Sequence, residues 1–188
     1  MRLFFAYWPS ASKASEIVPW VSNAHALFGG RMMRTDTLHM TLAFLGQADG
    51  IATQRLVEAC RNWTLPTGSM VLSEPGRFRN AKVVWVGPAA TGTPQLAWLF
   101  QAHERLWSYL APLGWQSQDA TYRPHVSLLR NAGPGEISDL KGPEVPWQPD
   151  RCVLVGSRPT EKGSRYTVLA EIGLTKLGSD PTFLETGV

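Results

Sequence analysis

The chain has 188 residues, 44% of them hydrophobic and 18% charged. Those proportions fit one globular unit or two small lobes sharing a core, and they exclude a disordered chain. The formal net charge of +3, with a sequence pI near 9.1, permits an anionic ligand. Its scattered distribution excludes the long basic tract that grips an extended duplex.

From the N-terminus, RLFFAYW at residues 2–8 reads as an apolar, aromatic strand, broken by Pro9 and Ser10. The opening segment has no apolar stretch long enough for a signal peptide, and no later run reaches the ~20 apolar residues of a membrane span. A cytoplasmic protein is therefore expected, with Cys60 and Cys152 as reduced, buried, small apolar residues. Residues 12–28 predict a helix that stops at Gly29–Gly30, with Ile17, Val21, Ala24 and Phe28 on one stripe. Pro19 fits a first turn better than a helix interior. His25 on this helix reads as a surface or boundary histidine. Residues 31–37 lead into the apolar strand LHMTLAFLG at 38–46. Residues 49–63 predict a second helix capped by Asp49, with Ile51, Leu56, Val57, Cys60 and Trp63 facing inward.

Two paired strands follow, at 69–78 and 81–87, joined near Gly76–Asn80; Val83, Val84, Trp85 and Val86 suit a central strand. Thr93–Pro94 marks a capped helix start, and the helix runs to about Pro112. Its stripe includes His103, which has no hydroxyl companion and reads as a core or boundary residue. A polar turn, SQDA at 117–120, precedes a second short strand, HVSLLR at 125–130. Strands at 151–157 and 165–173 flank a turn at 161–163. From about Leu177 the pattern weakens into a loose tail.

Two of these strands carry the same pattern. His-Met-Thr-Leu at 39–42 recurs as His-Val-Ser-Leu at 125–128, 86 positions on (125 − 39). In an extended strand residues i and i+2 share a face. His39 therefore sides with Thr41, and His125 with Ser127, while Met40, Leu42, Val126 and Leu128 face a core. By the same alternation Phe44 falls on the core face, away from any ligand. A lone His-x-Thr is a weak signal, common by chance in structural histidines; two copies in matched apolar strands are far more specific. The element order predicts an α+β fold, bilobal and duplicated. It has two mainly antiparallel sheets with flanking helices, and a central cleft carrying one His-x-Thr/Ser motif from each lobe. Residues 1–188 form a single bilobal domain on this reading.

Two imidazoles, with unperturbed pKa values of ~6.5, are suited to concerted acid–base work near neutrality. The hydroxyls are suited to holding phosphate oxygens. Zinc would require a third ligand at sensible spacing, and His25, His103 and two isolated cysteines do not supply one, so no metal or other cofactor is expected. The glycine-rich phosphate loop, the dinucleotide fingerprint and the serine-hydrolase elbow are all absent from the sequence.

The pair LHMTLAFLG and RPHVSLLR resembles the two signature motifs of the two-histidine phosphoesterase superfamily. Within it, the chain is most similar to the RNA 2′,3′-cyclic phosphodiesterases, also known as 2′-5′ RNA ligases. The similarity extends to RLFFAYWP, to Gly76 through VVWVG at 83–87, and to the spacing of Ser157, Gly163 and Tyr166, so it covers roughly residues 2–173. Ser127 departs from the more usual threonine; it keeps the hydroxyl but loses the methyl that restricts its rotamer. The resemblance implies a metal-independent enzyme that opens a terminal 2′,3′-cyclic phosphate of RNA to a 2′-phosphate, and it extends to reversible 2′-5′ ligation. It also implies His39 as proton donor and His125 as proton acceptor, with Thr41, Ser127 and Arg130 binding the phosphate. The expected partners are RNA ends, met by a monomer with no membrane association. Arg130 also reads as a solvated strand-end arginine, and Tyr122 and Arg123 as structural residues near the mouth. Two other functions compete. One is a cyclic phosphodiesterase for small nucleotides or ADP-ribose cyclic phosphate. The other is an idle RNA-end-binding module, against which the presence of both histidines and both hydroxyls argues.

Overall fold

The first strand, β1 (Arg2–Tyr7), runs through the middle of one half of a ten-stranded sheet. The computed structural model describes residues 1–89, 91–117, 121–160 and 163–176. The expected tail from 177, and most of the turns expected at 117–120 and 161–163, lie outside them. After β1 come α1 (Ala11–Phe28), β2 (Arg31–Met32), β3 (Met40–Gln47), α2 (Gly50–Cys60), β4 (Thr64–Thr67), β5 (Met70–Phe78) and β6 (Val83–Pro88). The chain continues through α3 (Ala97–Leu110), β7 (Val126–Arg130), β8 (Val145–Trp147), β9 (Cys152–Thr160) and β10 (Gly163–Lys176).

The sheet order is β4-β10-β9-β1-β3-β7-β6-β5-β8, with β2 on the edge of β7. Every pairing is antiparallel except β10 with β4. The α+β class is present, but the two sheets expected from the sequence are joined into one continuous sheet, because β3 and β7 pair with each other. The sheets meet edge to edge through one residue pair, Met40 with Val126. These are the apolar residues inside the two His-x-Thr/Ser motifs, so the halves join at equivalent positions. On β7, β2 takes over where β3 leaves: Arg31 pairs with Arg130 and Met32 with Leu129. The segment between β2 and β3 carries a 3₁₀ turn at Thr35–Thr37 and buries Thr37 and Leu38.

The helices lock the halves together. α1 follows a strand of the β1 half but packs on β2, β7 and β8 of the other; α3 follows β6 and packs on β3 and β4. α1 and α3 therefore each cover the sheet half they did not come from, while α2 packs on β10 of its own half. Trp20 donates from Nε1 to the Pro143 carbonyl at 2.7 Å, and the rings of Tyr7 and Trp98 lie 6.0 Å apart.

Several local expectations change. Pro19 sits inside α1, on its exposed side. A proline there costs about 3 kcal/mol, less than is gained by burying Ile17, Trp20 and Phe28 at about 1.5–3 kcal/mol each. Ser10 caps α1 through its side chain to the Lys13 N–H, and Asp49 caps α2 through Ala52. Ile51 is 73% exposed rather than inward, because α2 docks through Leu56 and Cys60 in its later turns. Thr93 makes no side-chain cap bond; a 3₁₀ turn at Pro94–Leu96 precedes α3. Gly76 lies within β5, not in a turn, and the turn falls instead around Arg79–Lys82. Two short strands, β4 and β8, have no alternating signal in the sequence.

Candidate active site

Each motif histidine immediately precedes its strand, at the point where the two halves diverge. Continuing the Met40–Val126 register by one residue sets His39 across from Ser127 and Thr41 across from His125. The two histidines thus enter from opposite halves on either side of that pair.

The two imidazoles are held in the same way. His39 Nδ1 lies 2.7 Å from the Thr37 carbonyl oxygen, and His125 Nδ1 lies 2.8 Å from that of Arg123. Both partners are the carbonyl two residues back. A carbonyl oxygen only accepts, so each Nδ1 carries a proton and donates it. Nε2 is then the other nitrogen of both rings, an acceptor when neutral and a donor when charged. Nothing in the sequence signals this bond, since any residue supplies a carbonyl.

Each ring is walled by aromatic residues of its own half. His39 stacks on Trp8 (centroids 5.0 Å, interplanar angle 6°) and on Phe4 (5.0 Å), with Tyr166 edge-on at 5.7 Å. His125 meets Phe78 edge-on at 4.9 Å and Trp85 at 5.8 Å. Gly76 is the cross-strand partner of Trp85, and a Cβ there would come 1.9 Å from the indole. The glycine therefore lets that ring lie flat and reach His125.

Burial pushes the His39 pKa down to about 4, helped by the positive charge of His125 and Arg130 and opposed by the Thr37 hydrogen bond. His125 is pushed down for the same reason, with Arg130 and Arg123 adding to the effect against its own carbonyl bond. In the free protein both rings are neutral at pH 7.

Two adjoining cavities of about 460 Å³ each flank the histidines. One takes His39, Thr41 and Arg130, with Arg2, Arg31, Ser157 and Tyr166. The other takes His125, Phe78, Tyr122 and Arg123. Thr41 and Phe44 line both. The structure thus brings His39, Thr41, His125 and Arg130 to one divided cleft. Ser127 is half-buried on the adjoining face of β7, paired with Trp85. Tyr122 donates to the Thr41 carbonyl at 3.3 Å, tying the approach to the second motif onto the first. Arg123 lies over Phe78 at 5.9 Å. His103 accepts from Trp107 and stacks on Tyr122 at 4.1 Å, on the boundary of the core. His25 is exposed on α1.

Phe44 is a correction. It is 56% exposed and sits on the divide between the cavities, not in the core. The register with β1 skips Leu42 and Leu45, so two β-bulges interrupt β3. The first leaves Leu42 and Ala43 both buried and returns Phe44 to the face of Thr41.

Comparison with known proteins gives this cleft a context. The model of the 2′-5′ RNA ligase superfamily matches residues 9–155. The chain belongs to that superfamily. Among superfamily members, the RNA 2′,3′-cyclic phosphodiesterase of Escherichia coli K12 is 29% identical over 179 residues, covering 93% of this chain and 97% of its own. The RNA 2′,3′-cyclic phosphodiesterase of Thermotoga maritima is 26% identical over 169 residues, covering 85% and 86%. The crystal structure of E. coli LigT complexed with 3′-AMP aligns with a TM-score of 0.78 at 27% identity, covering 93% of this chain and 98% of that one. The superfamily match includes both histidine motifs. Ser157, Gly163 and Tyr166, spaced as the sequence resemblance requires, all line the His39 cavity.

Proposed function

We propose that this protein is an RNA 2′,3′-cyclic phosphodiesterase that opens a terminal cyclic phosphate to a 2′-phosphate. The relatives named for that activity support the reading. The observation that carries it is the pair of Nδ1-anchored imidazoles, one from each half, with Nε2 free for proton transfer. In the proposed step a water attacks phosphorus opposite the 3′ oxygen. Its proton passes to Nε2 of His125 as the new P–O bond forms. The P–O3′ bond breaks, and Nε2 of His39 gives its proton to the departing oxygen. Thr41, Ser127 and Arg130 bind the non-bridging oxygens. If a 5′-hydroxyl takes the place of water, the same step joins two ends by a 2′-5′ bond. Trp8 and Phe4 stack against His39 and favour its charged form against burial, which suits the donor role. Both halves of the site come from one chain, which supports action as a monomer. The buried free thiols of Cys60 and Cys152 suit a reducing, cytoplasmic setting. Among the described residues no helix is long and apolar enough to cross a membrane.

The direct test is incubation with an oligonucleotide ending in a 2′,3′-cyclic phosphate, in EDTA, with the phosphate located in the product. A 2′-phosphate product and undiminished rate are expected. The motivation for the chelator arm is that, among the described residues, no three histidine, cysteine or carboxylate side chains converge. A 3′-phosphate product, no turnover, or activity lost to EDTA and restored by metal would overturn the reading.

The lowered histidine pKa values set a pH dependence. The donor works protonated and the acceptor works neutral, and kcat/KM reports the free enzyme. At pH 7 the free protein lacks the donor's proton; the fraction carrying it grows as pH falls toward about 4. kcat/KM is therefore expected to rise as pH drops from 8, with its maximum on the acid side of ~6.5. Bound anionic phosphate favours imidazolium, so the kcat profile shifts to higher pH. Parallel profiles of kcat and kcat/KM check this, and a kcat/KM maximum above pH 7 would count against the assigned roles.

A further inference from the structure

We infer that the cavity beside His39 holds a second anion subsite, built on Arg31 and Arg2 next to Arg130, for a phosphate carried on the 5′ oxygen of the terminal nucleoside. The inference rests on the cyclic-phosphate reading above and names its substrate class as phosphate-bearing RNA ends rather than bare nucleosides.

Arg31 and Arg130 are direct cross-strand partners on β2 and β7. Like charges in that position disfavour the pairing, and Arg2 and Arg34 line the same cavity. Among the described residues no aspartate or glutamate lines it. Arg34 is committed to Asp36 at 3.0 Å. Among the described residues, no carboxylate lies within ion-pair distance of Arg2, Arg31 or Arg130. The whole chain carries a formal excess of only three positive charges, so three guanidinium groups at one cavity, with no carboxylate partner among the described residues, are a marked local concentration. The reacting cyclic phosphate is a diester with a single negative charge. Arg130 and the motif hydroxyls answer that charge, which leaves Arg31 and Arg2 for another.

Arg31 also reaches the strand that carries Tyr166. Its Nη1 rests against Gly163, where an added Cβ would come within 2.7 Å of it. Gly163 has φ +114°, a conformation that favours glycine. It opens β10, in the half opposite β2, so the guanidinium spans the cleft, and Ser164 adds a hydroxyl beside it. This arrangement fits an anion a short distance from the reacting phosphorus, as a phosphate on the same nucleoside is.

The test compares three substrates: a nucleoside 2′,3′-cyclic phosphate with a 5′-hydroxyl, the same with a 5′-phosphate, and a dinucleotide whose internal phosphodiester takes that place. Both phosphate-bearing substrates are expected to exceed the 5′-hydroxyl one in kcat/KM by about 10-fold or more, the scale of one charge-assisted hydrogen bond. Arg31→Ala should remove most of that ratio, and Arg31→Lys should restore part of it. The wild-type ratio should shrink from about 0.01 M to about 1 M salt, as the Debye length falls from about 30 to about 3 Å. This last arm decides the matter even if Arg31→Ala does not fold. Equal kcat/KM for all three substrates, a ratio that Arg31→Ala preserves, or a salt-independent ratio overturns the subsite while leaving the cyclic-phosphate reading intact. A gain for the dinucleotide alone also overturns it, since a second base then supplies the advantage. Cleavage of none of the three overturns the cyclic-phosphate reading, and the subsite with it.

Discussion

Replacing either His39 or His125 by alanine is expected to lower turnover of a cyclic-ended oligonucleotide by at least about 10²-fold, the usual contribution of a positioned acid or base. Both rings are packed among aromatic side chains, so stability has to be separated from chemistry. Removing His39 leaves a gap between Trp8 and Phe4, and a gap of that kind costs stability by itself. Asparagine separates the two effects. Its amide N–H can still donate to the carbonyl of Thr37, or of Arg123 for His125, while the working Nε2 is gone. His39→Asn and His125→Asn are therefore expected to melt closer to wild type than the alanine variants and to remain just as inactive. Thr41→Ala and Ser127→Ala should cost less, because each removes one hydrogen bond to phosphate and no proton transfer. If the asparagine variants melt like wild type and also turn over near the wild-type rate, the chemistry lies elsewhere. If all four histidine variants unfold, the rings act as core residues and the site assignment loses its support.

The proposed site residues are legible in the sequence because the motif is written twice. Two His-x-Thr/Ser strands predict a histidine and a hydroxyl sharing a face on each strand. The Met40–Val126 pairing sets those strands antiparallel, and His39, Thr41 and His125 line the divided cleft, while Ser127 lines neither cavity. What strict alternation could not reveal was its own interruption. Phe44 looks inward from His39 by counting, and only the skipped Leu42 in the register with β1 turns it out. A bulge leaves little mark on a sequence of apolar residues, since Leu42 and Ala43 are equally content in a core. The aromatic walls were hidden for a related reason. Phe4, Trp8, Phe78 and Trp85 are ordinary strand residues by composition, and which ring reaches which histidine depends on sheet order. Helix exchange between the halves was likewise out of reach, because amphipathic stripes say that α1 and α3 are covered but not by which sheet. Gly76 reads from sequence as a turn residue; only the β5–β6 register sets it under Trp85.

The two imidazoles are anchored alike, so geometry alone does not tell donor from acceptor, and the leaving atom does. In opening to a 2′-phosphate the 3′ oxygen departs as an alkoxide, a poor leaving group that needs the His39 proton as it goes. The attacking water needs to lose a proton to His125 whatever leaves. Replacing the 3′ oxygen by sulfur makes the leaving group a thiolate, which is stable without a proton near neutrality; a cysteine-like thiol has a pKa of only ~8.5. A 3′-thio cyclic substrate is therefore expected to rescue His39→Ala by at least about 10-fold relative to the oxygen substrate, and to leave His125→Ala impaired by about 10²-fold. The same bond must break in both substrates, so the comparison begins with identification of the 2′-phosphate product. Rescue of His125→Ala in place of His39→Ala would reverse the roles. Rescue of neither would remove the donor role from both rings and leave them as phosphate-binding groups, in which case the transition state gains its stabilisation from charge and not from a transferred proton.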